Sequence, residues 1–116
     1  MGPQTFRRMA LGMAGAIEKS HMGHPDFRVL NRIFATLHQD HRYGMVQLTP
    51  EQQQQFMRDN PSAFTPEAGA WGRSGSTRVD LDVVDEEMLG EALTLAWKNV
   101  EEKHTRQASN EGPVRR

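Results

Sequence analysis

The segment DFRVLNRIFATL, residues 26–37, decides how the chain folds. Phe27 and Val29 alternate with Arg28, Asn31-Arg32 is turn-like, and Ile33, Ala35 and Leu37 alternate with Phe34 and Thr36. A period of two sends successive side chains to opposite faces of a strand, so the segment reads as two antiparallel strands joined by a turn. A polar loop from His38 to Arg42 follows, and Val46 and Leu48 then alternate about Gln47. The stretch between Glu18 and Leu48 is therefore expected to be an antiparallel meander.

Helices flank this meander. Phe6, Met9, Ala10, Met13 and Ile17 recur at three- and four-residue steps, predicting an amphipathic first helix that runs through Ile17 and is loosened by Gly12 and Gly15. Thr49-Pro50-Glu51-Gln52 is a helix start, because threonine can cap the amide three residues on, proline suits the first helical position and glutamine can bond back. Asn60-Pro61 ends that short helix near Asp59. Residues 61–75 read as a connecting loop in which Phe64 and Trp71 are the buried anchors. Thr77, Val79 and Leu81 then face one way and Ser76, Arg78 and Asp80 the other, a strand with one wet face. Asp85 caps a last helix whose apolar stripe is Leu89, Ala92, Leu93, Ala96 and Val100, with Trp97 beside it.

The elements add up to an α+β domain. It has an antiparallel sheet of about four to five strands, with an N-terminal helix, a short middle helix and a long C-terminal helix on one face. At 116 residues there is room for one core, placed here in residues 1–104. Periodicity stops after Lys103, and residues 105–116 are expected to form a disordered tail.

Composition excludes several classes of function. No apolar run is long enough to cross a bilayer, and the apolar stretch after Arg7 and Arg8 runs into Glu18 and Lys19 without a convincing cleavage site. The absence of cysteine rules out disulfides, thiolate metal ligands and thiol nucleophiles, and fits the cytoplasm. A net charge of −1 is far from the basic balance of a dedicated nucleic-acid binder. The charge is uneven, however. Residues 1–49 carry Arg7, Arg8, Lys19, Arg28, Arg32 and Arg42 against Glu18, Asp26 and Asp40, so any nucleic-acid site is a local patch in the first half.

AGAWGRSGSTRVDLD, residues 68–82, has the look of a phosphate loop. A phosphate cradle, however, sits between a strand and a helix N-terminus, whereas these glycines precede a strand and no lysine follows. The plainer reading is a turn in which Gly72 and Gly75 supply unusual backbone angles while Trp71 packs.

Three stretches together resemble the MmcQ/YjbR family of small bacterial proteins. They are GHPDFRVLNRIFATL, LTPEQQQQF, and FTPEAGAWGRSGSTRVDL followed by a helix containing ALTLAW. The specific positions are Gly23, His24, Pro25, Phe27, Arg28 and Val29, the aromatic Phe34, and Trp71, Gly72 and Gly75. The resemblance spans roughly residues 5–104 and departs at Ser76, where relatives usually carry tryptophan, and at Arg32, where they usually carry lysine. It implies a frataxin-like (CyaY-like) α+β sandwich, a fold also likened to a "double wing" DNA-binding module, and family members are described as DNA-binding on that likeness.

Weak DNA binding by phosphate contacts is the activity expected, through Arg28, Arg32, Arg42, Arg73 and Arg78 on or beside the sheet. The competing reading pairs those arginines with Asp26, Asp80 or Asp82 and leaves a solvated surface. A further alternative is a protein-interaction or small-ligand module in which Phe64 and Trp71 frame a pocket and the motif residues serve structure. His21-x-x-His24 and His38-x-x-His41 are two candidate metal half-sites, of which the loop pair His38 and His41 is better placed because positions three apart on a strand face opposite ways. No metal or other cofactor is assigned. His24 with Asp26 or Glu18 is the only acid–base candidate, and Ser74 and Ser76 lack an activating context, so the chain is read as a non-enzymatic, cytoplasmic monomer.

Overall fold

The structure, a computed structural model, describes the backbone of residues 1–111 and side chains through Arg106. The element order is α1 (Pro3–Leu11), β1 (Ile17–His21), β2 (His24–Val29), β3 (Arg32–Leu37), β4 (Tyr43–Gln47), α2 (Pro50–Asp59), β5 (Phe64–Pro66), α3 (Gly69–Arg73), β6 (Ser76–Asp80) and α4 (Glu86–Glu111). The strands form one antiparallel sheet of six, in the order β1-β2-β3-β4-β6-β5.

The α+β class and the meander stand, but the strand count rises from four or five to six. The first helix ends at Leu11 instead of Ile17, because Gly12 closes it and Gly15 at φ 75° turns the chain. Ile17 consequently opens β1, an edge strand whose five residues are all exposed. A strand exposed on both faces carries no hydrophobic alternation, which is why sequence periodicity does not reveal it. The expected loop over residues 61–75 likewise contains the three-residue β5 and the five-residue α3. Helix α4 continues past Lys103 to Glu111; of the tail expected over residues 105–116, residues 112–116 lie outside the described residues.

Register sorts the side chains into two faces. One row across the sheet is Phe27, Ala35, Val46 and Thr77, all fully buried. The neighbouring row is Asp26, Thr36, Met45, Arg78 and Thr65. The strict alternation expected of β3 is broken by a register shift: Phe27 pairs with Ala35 but Arg28 with Ile33, so Phe34 is the extra residue. A bulge of this kind lets two consecutive residues face the same side, and Phe34 and Ala35 are both buried.

Helices α1, α2 and α4 cover the first face. Phe6 of α1 packs against Phe27 with the rings tilted and their centroids 5.9 Å apart, and Phe56 of α2 packs likewise against Phe64, at 5.0 Å. Leu89, Ala92, Leu93, Ala96 and Val100 of α4 are all buried, as their spacing requires. The caps form as expected: Thr49 Oγ1 accepts from Gln52 N–H at 3.1 Å while Gln52 Oε1 accepts from Thr49 N–H at 3.0 Å. Asp85 Oδ1 accepts from Met88 N–H at 2.8 Å. The opposite face of the sheet is left open and carries the polar row.

Candidate functional site: the open face of the sheet

The polar face is organised around two carboxylates, each holding one arginine and one histidine. Asp26 is fully buried, accepts from Arg28 Nε at 2.7 Å and Nη2 at 3.1 Å, and lies 3.1 Å from His21 Nδ1. The Arg28 guanidinium, and after it His21, hold the Asp26 carboxyl below the usual range against the opposing pull of burial. Glu67 accepts from Arg78 Nη2 at 3.4 Å and contacts His38 Nε2 at 2.8 Å. Arg42, beside Tyr43, donates to Asp80 at 3.3 and 3.0 Å and lies 3.5 Å from Asp82. That contact holds Asp80 below the usual carboxylate range. The guanidinium carbons of Arg42 and Arg78 sit 5.3 and 5.2 Å from the Tyr43 ring centroid, clamping both cations to one aromatic ring.

Three of the five arginines read as phosphate contacts, Arg28, Arg42 and Arg78, thus share the open face, and each is matched by a carboxylate. Arg32 lies at the start of β3, and Arg73 is exposed at the end of α3. His21 and His24 meet across a two-residue hairpin turn, rings stacked at 5.7 Å. Of the loop pair, His38 is engaged by Glu67, and His41 is exposed at φ 62°. Among the described residues no group of three or more histidine, aspartate or glutamate side chains is placed to hold a metal.

The glycine-rich stretch is built from below. Gln53, buried on α2, points its Nε2 at Gly72 O, Ser76 O and Thr77 Oγ1 at 3.1, 3.2 and 3.0 Å. This ties α2 to both ends of the turn. A Cβ on Gly72 would lie 1.8 Å from Glu67 O, and one on Gly75, at φ 114°, 1.9 Å from Leu48 O. Both glycines are therefore required for close backbone approach, but of the two only Gly75 takes the unusual backbone angle expected of the pair, because Gly72 lies within α3 at an ordinary φ. Gly23 serves another turn: with Met22 it forms the β1–β2 hairpin loop, φ 52° and 86°, the geometry of a type I′ turn.

Trp71 corrects the sequence reading. It is 74 % exposed, whereas its supposed fellow anchor Phe64 is 1 % exposed in the core. The two do not frame a common pocket. With Gly72 pinned against Glu67 O, the short helix α3 presents Trp71 to the open face. There it lines a groove of about 600 Å³ with Ile33, Met45, Thr36, His24 and Glu67. Ser76 and Gln47 close one side, and Ser76 Oγ donates to Gln47 Oε1 at 2.9 Å. Sequence reasoning missed this groove because large aromatic residues are usually buried; the fixed Gly72–Gly75 spacing was the available signal.

Among the described residues no helix is long and apolar enough to cross a membrane. No curated protein matches the chain. Among solved structures it is similar to the Deinococcus radiodurans protein DR2400, a DUF419 domain, at 22 % identity and a TM-score of 0.71, covering 84 % of this chain and 77 % of that one. At that identity the likeness is one of fold. The YjbR family profile matches residues 11–99, which include the whole sheet, the Asp26–Arg28 pair and the Trp71 turn. The chain belongs to the MmcQ/YjbR family.

Proposed function

We propose that this protein is a non-enzymatic binding module whose open sheet face takes a small apolar or aromatic ligand, or a partner's side chain, in the groove beside Trp71. The observation that carries this reading is the exposed indole of Trp71, which lines one groove with Ile33 and Met45. Small-ligand sites are concave, largely apolar and a few hundred Å³ in volume, and the groove has that character. Part of its polar rim is engaged, with Glu67 holding His38 and Arg78 and Ser76 bonded to Gln47. Selectivity then falls on the apolar floor together with His24 and Thr36. The non-enzymatic reading rests on the hydroxyls at the turn: Ser74 Oγ donates to Trp71 O at 3.0 Å and Ser76 Oγ to Gln47, so both serve structure. The cysteine-free sequence supports a cytoplasmic location. The helix–sheet–helix order supports the frataxin-like sandwich, and a monomer is the assembly proposed.

Weak DNA binding is a second reading, favoured by Arg28, Arg42 and Arg78 projecting from one face beside an exposed aromatic. Single strands suit that pairing, since unpaired bases stack on aromatic rings while phosphates meet cations. The matching carboxylates oppose it by neutralising each arginine. Fluorescence anisotropy of labelled single-stranded and duplex DNA over a salt series, alongside titration with small aromatic probes, separates the readings. The groove reading predicts saturable probe binding that Trp71→Ala abolishes; the DNA reading predicts salt-dependent oligonucleotide binding whose slope flattens when Arg28 and Arg78 become alanine.

A further inference from the structure

We infer that a second groove, at the end of the sheet where β3 begins and β4 ends, binds a phosphate-bearing anion. It has a volume of about 680 Å³ and is lined by Arg32, Lys103 and Arg106 together with Thr49, Ser74 and Asn99. Glu102 also reaches it, so among the described residues Lys103 and Arg106 stand beside one carboxylate.

The contrast with the open face is the basis of the assignment. There, Arg28, Arg42 and Arg78 are each held by an acidic side chain at 3.4 Å or less. Here, among the described residues, Lys103 and Arg106 make no ion pair, and both are exposed on α4. Concave surfaces lined by one sign of charge concentrate the opposite ion, and arginine presents a planar fork that matches phosphate oxygens. The neutral groups are already engaged: Thr49 and Gln52 cap α2, and Asn99 Nδ2 donates to Gln47 O and Gln52 Oε1 at 3.2 and 2.7 Å. Recognition accordingly falls to Lys103 and Arg106. The site stands independently of the Trp71 groove, although the two meet at Ile33 and Gln47.

The test is an amide-resolved NMR titration of the full chain at low salt, with pyrophosphate in one arm and a single-stranded oligonucleotide in the other. The expected result is a saturable response at Gln52, Ser74 and Asn99. That response should weaken at least about tenfold in the double substitution Lys103→Gln with Arg106→Gln, a loss of about 1.4 kcal/mol in binding. It should persist in Trp71→Ala. The two substituted residues are exposed, and circular dichroism confirms that the variant is folded. A response to pyrophosphate assigns a compact phosphorylated ligand, whereas a response to the oligonucleotide alone assigns a strand backbone; either upholds phosphate recognition. No saturable response in either arm, or one that the double substitution leaves unchanged, overturns the site.

Discussion

Arg28 Nε donates to Asp26 Oδ1 at 2.7 Å from two positions along the same strand. Residues two apart on a strand share a face, so the pair is set by local sequence and needs no long-range closure. Asp26 has no solvent contact, and an ionised buried carboxylate is tolerable only when paired and hydrogen-bonded. Arg28 is consequently occupied in keeping Asp26 charged.

This gives a pH signature. Because the folded-state value of Asp26 is lowered by Arg28 and His21, its stabilisation is fully present above the unfolded carboxyl value and is lost as pH falls through the folded one. Asp26→Asn should cost about 2 kcal/mol near neutrality, and the gap from the natural protein should close in acid. Urea unfolding of both proteins over a pH series measures it. Asp40 and Asp80 are lowered too and tilt both curves together, so a gap independent of pH would remove Asp26 as its source.

The exposure of Trp71 separates anchoring from binding. Trp71→Ala should change stability by less than about 0.5 kcal/mol, while Phe64→Ala, in the core, should cost about 4 kcal/mol. Thermal or chemical unfolding of the two variants settles the order. Equal losses would return Trp71 to the interior.

At the turn, Gly75→Ala places a methyl group 1.9 Å from Leu48 O on a residue held at φ 114°. Backbone cannot yield as a flexible side chain can, so the substitution should cost at least about 3 kcal/mol. Gly72→Ala, meeting Glu67 O at 1.8 Å, should behave alike. By contrast Gly69→Ala, with open space around it but φ 67°, should cost only about 1 kcal/mol. A Gly75→Ala protein as stable as its parent would refute the close approach to Leu48.

Where one buried row faces one wet row, the sequence was legible. Phe27, Val29, Val46, Val79 and the α4 stripe announce themselves by period, and the Thr49 and Asp85 caps by residue type. What was hidden depends on tertiary contact. Edge strand β1 has no buried face, the bulge at Phe34 depends on how β2 and β3 pair, and β5 is too short for a pattern. The open face was legible in part. Its arginines were found and Asp26, Asp80 and Asp82 were foreseen as their partners, but Glu67 was not, because its link to Arg78 and His38 needs the fold of the Trp71 turn.

The most direct test follows the two indole N–H signals in a nitrogen–proton correlation spectrum while indole is titrated as an aromatic probe. Trp97 Nε1 donates to Ala14 O at 2.8 Å and serves as an internal reference. A functional groove beside Trp71 predicts a saturable shift of the Trp71 indole and of the Ile33, Met45 and Ser76 amides, with Trp97 unmoved. Equal, non-saturating drift of both indoles would contradict it.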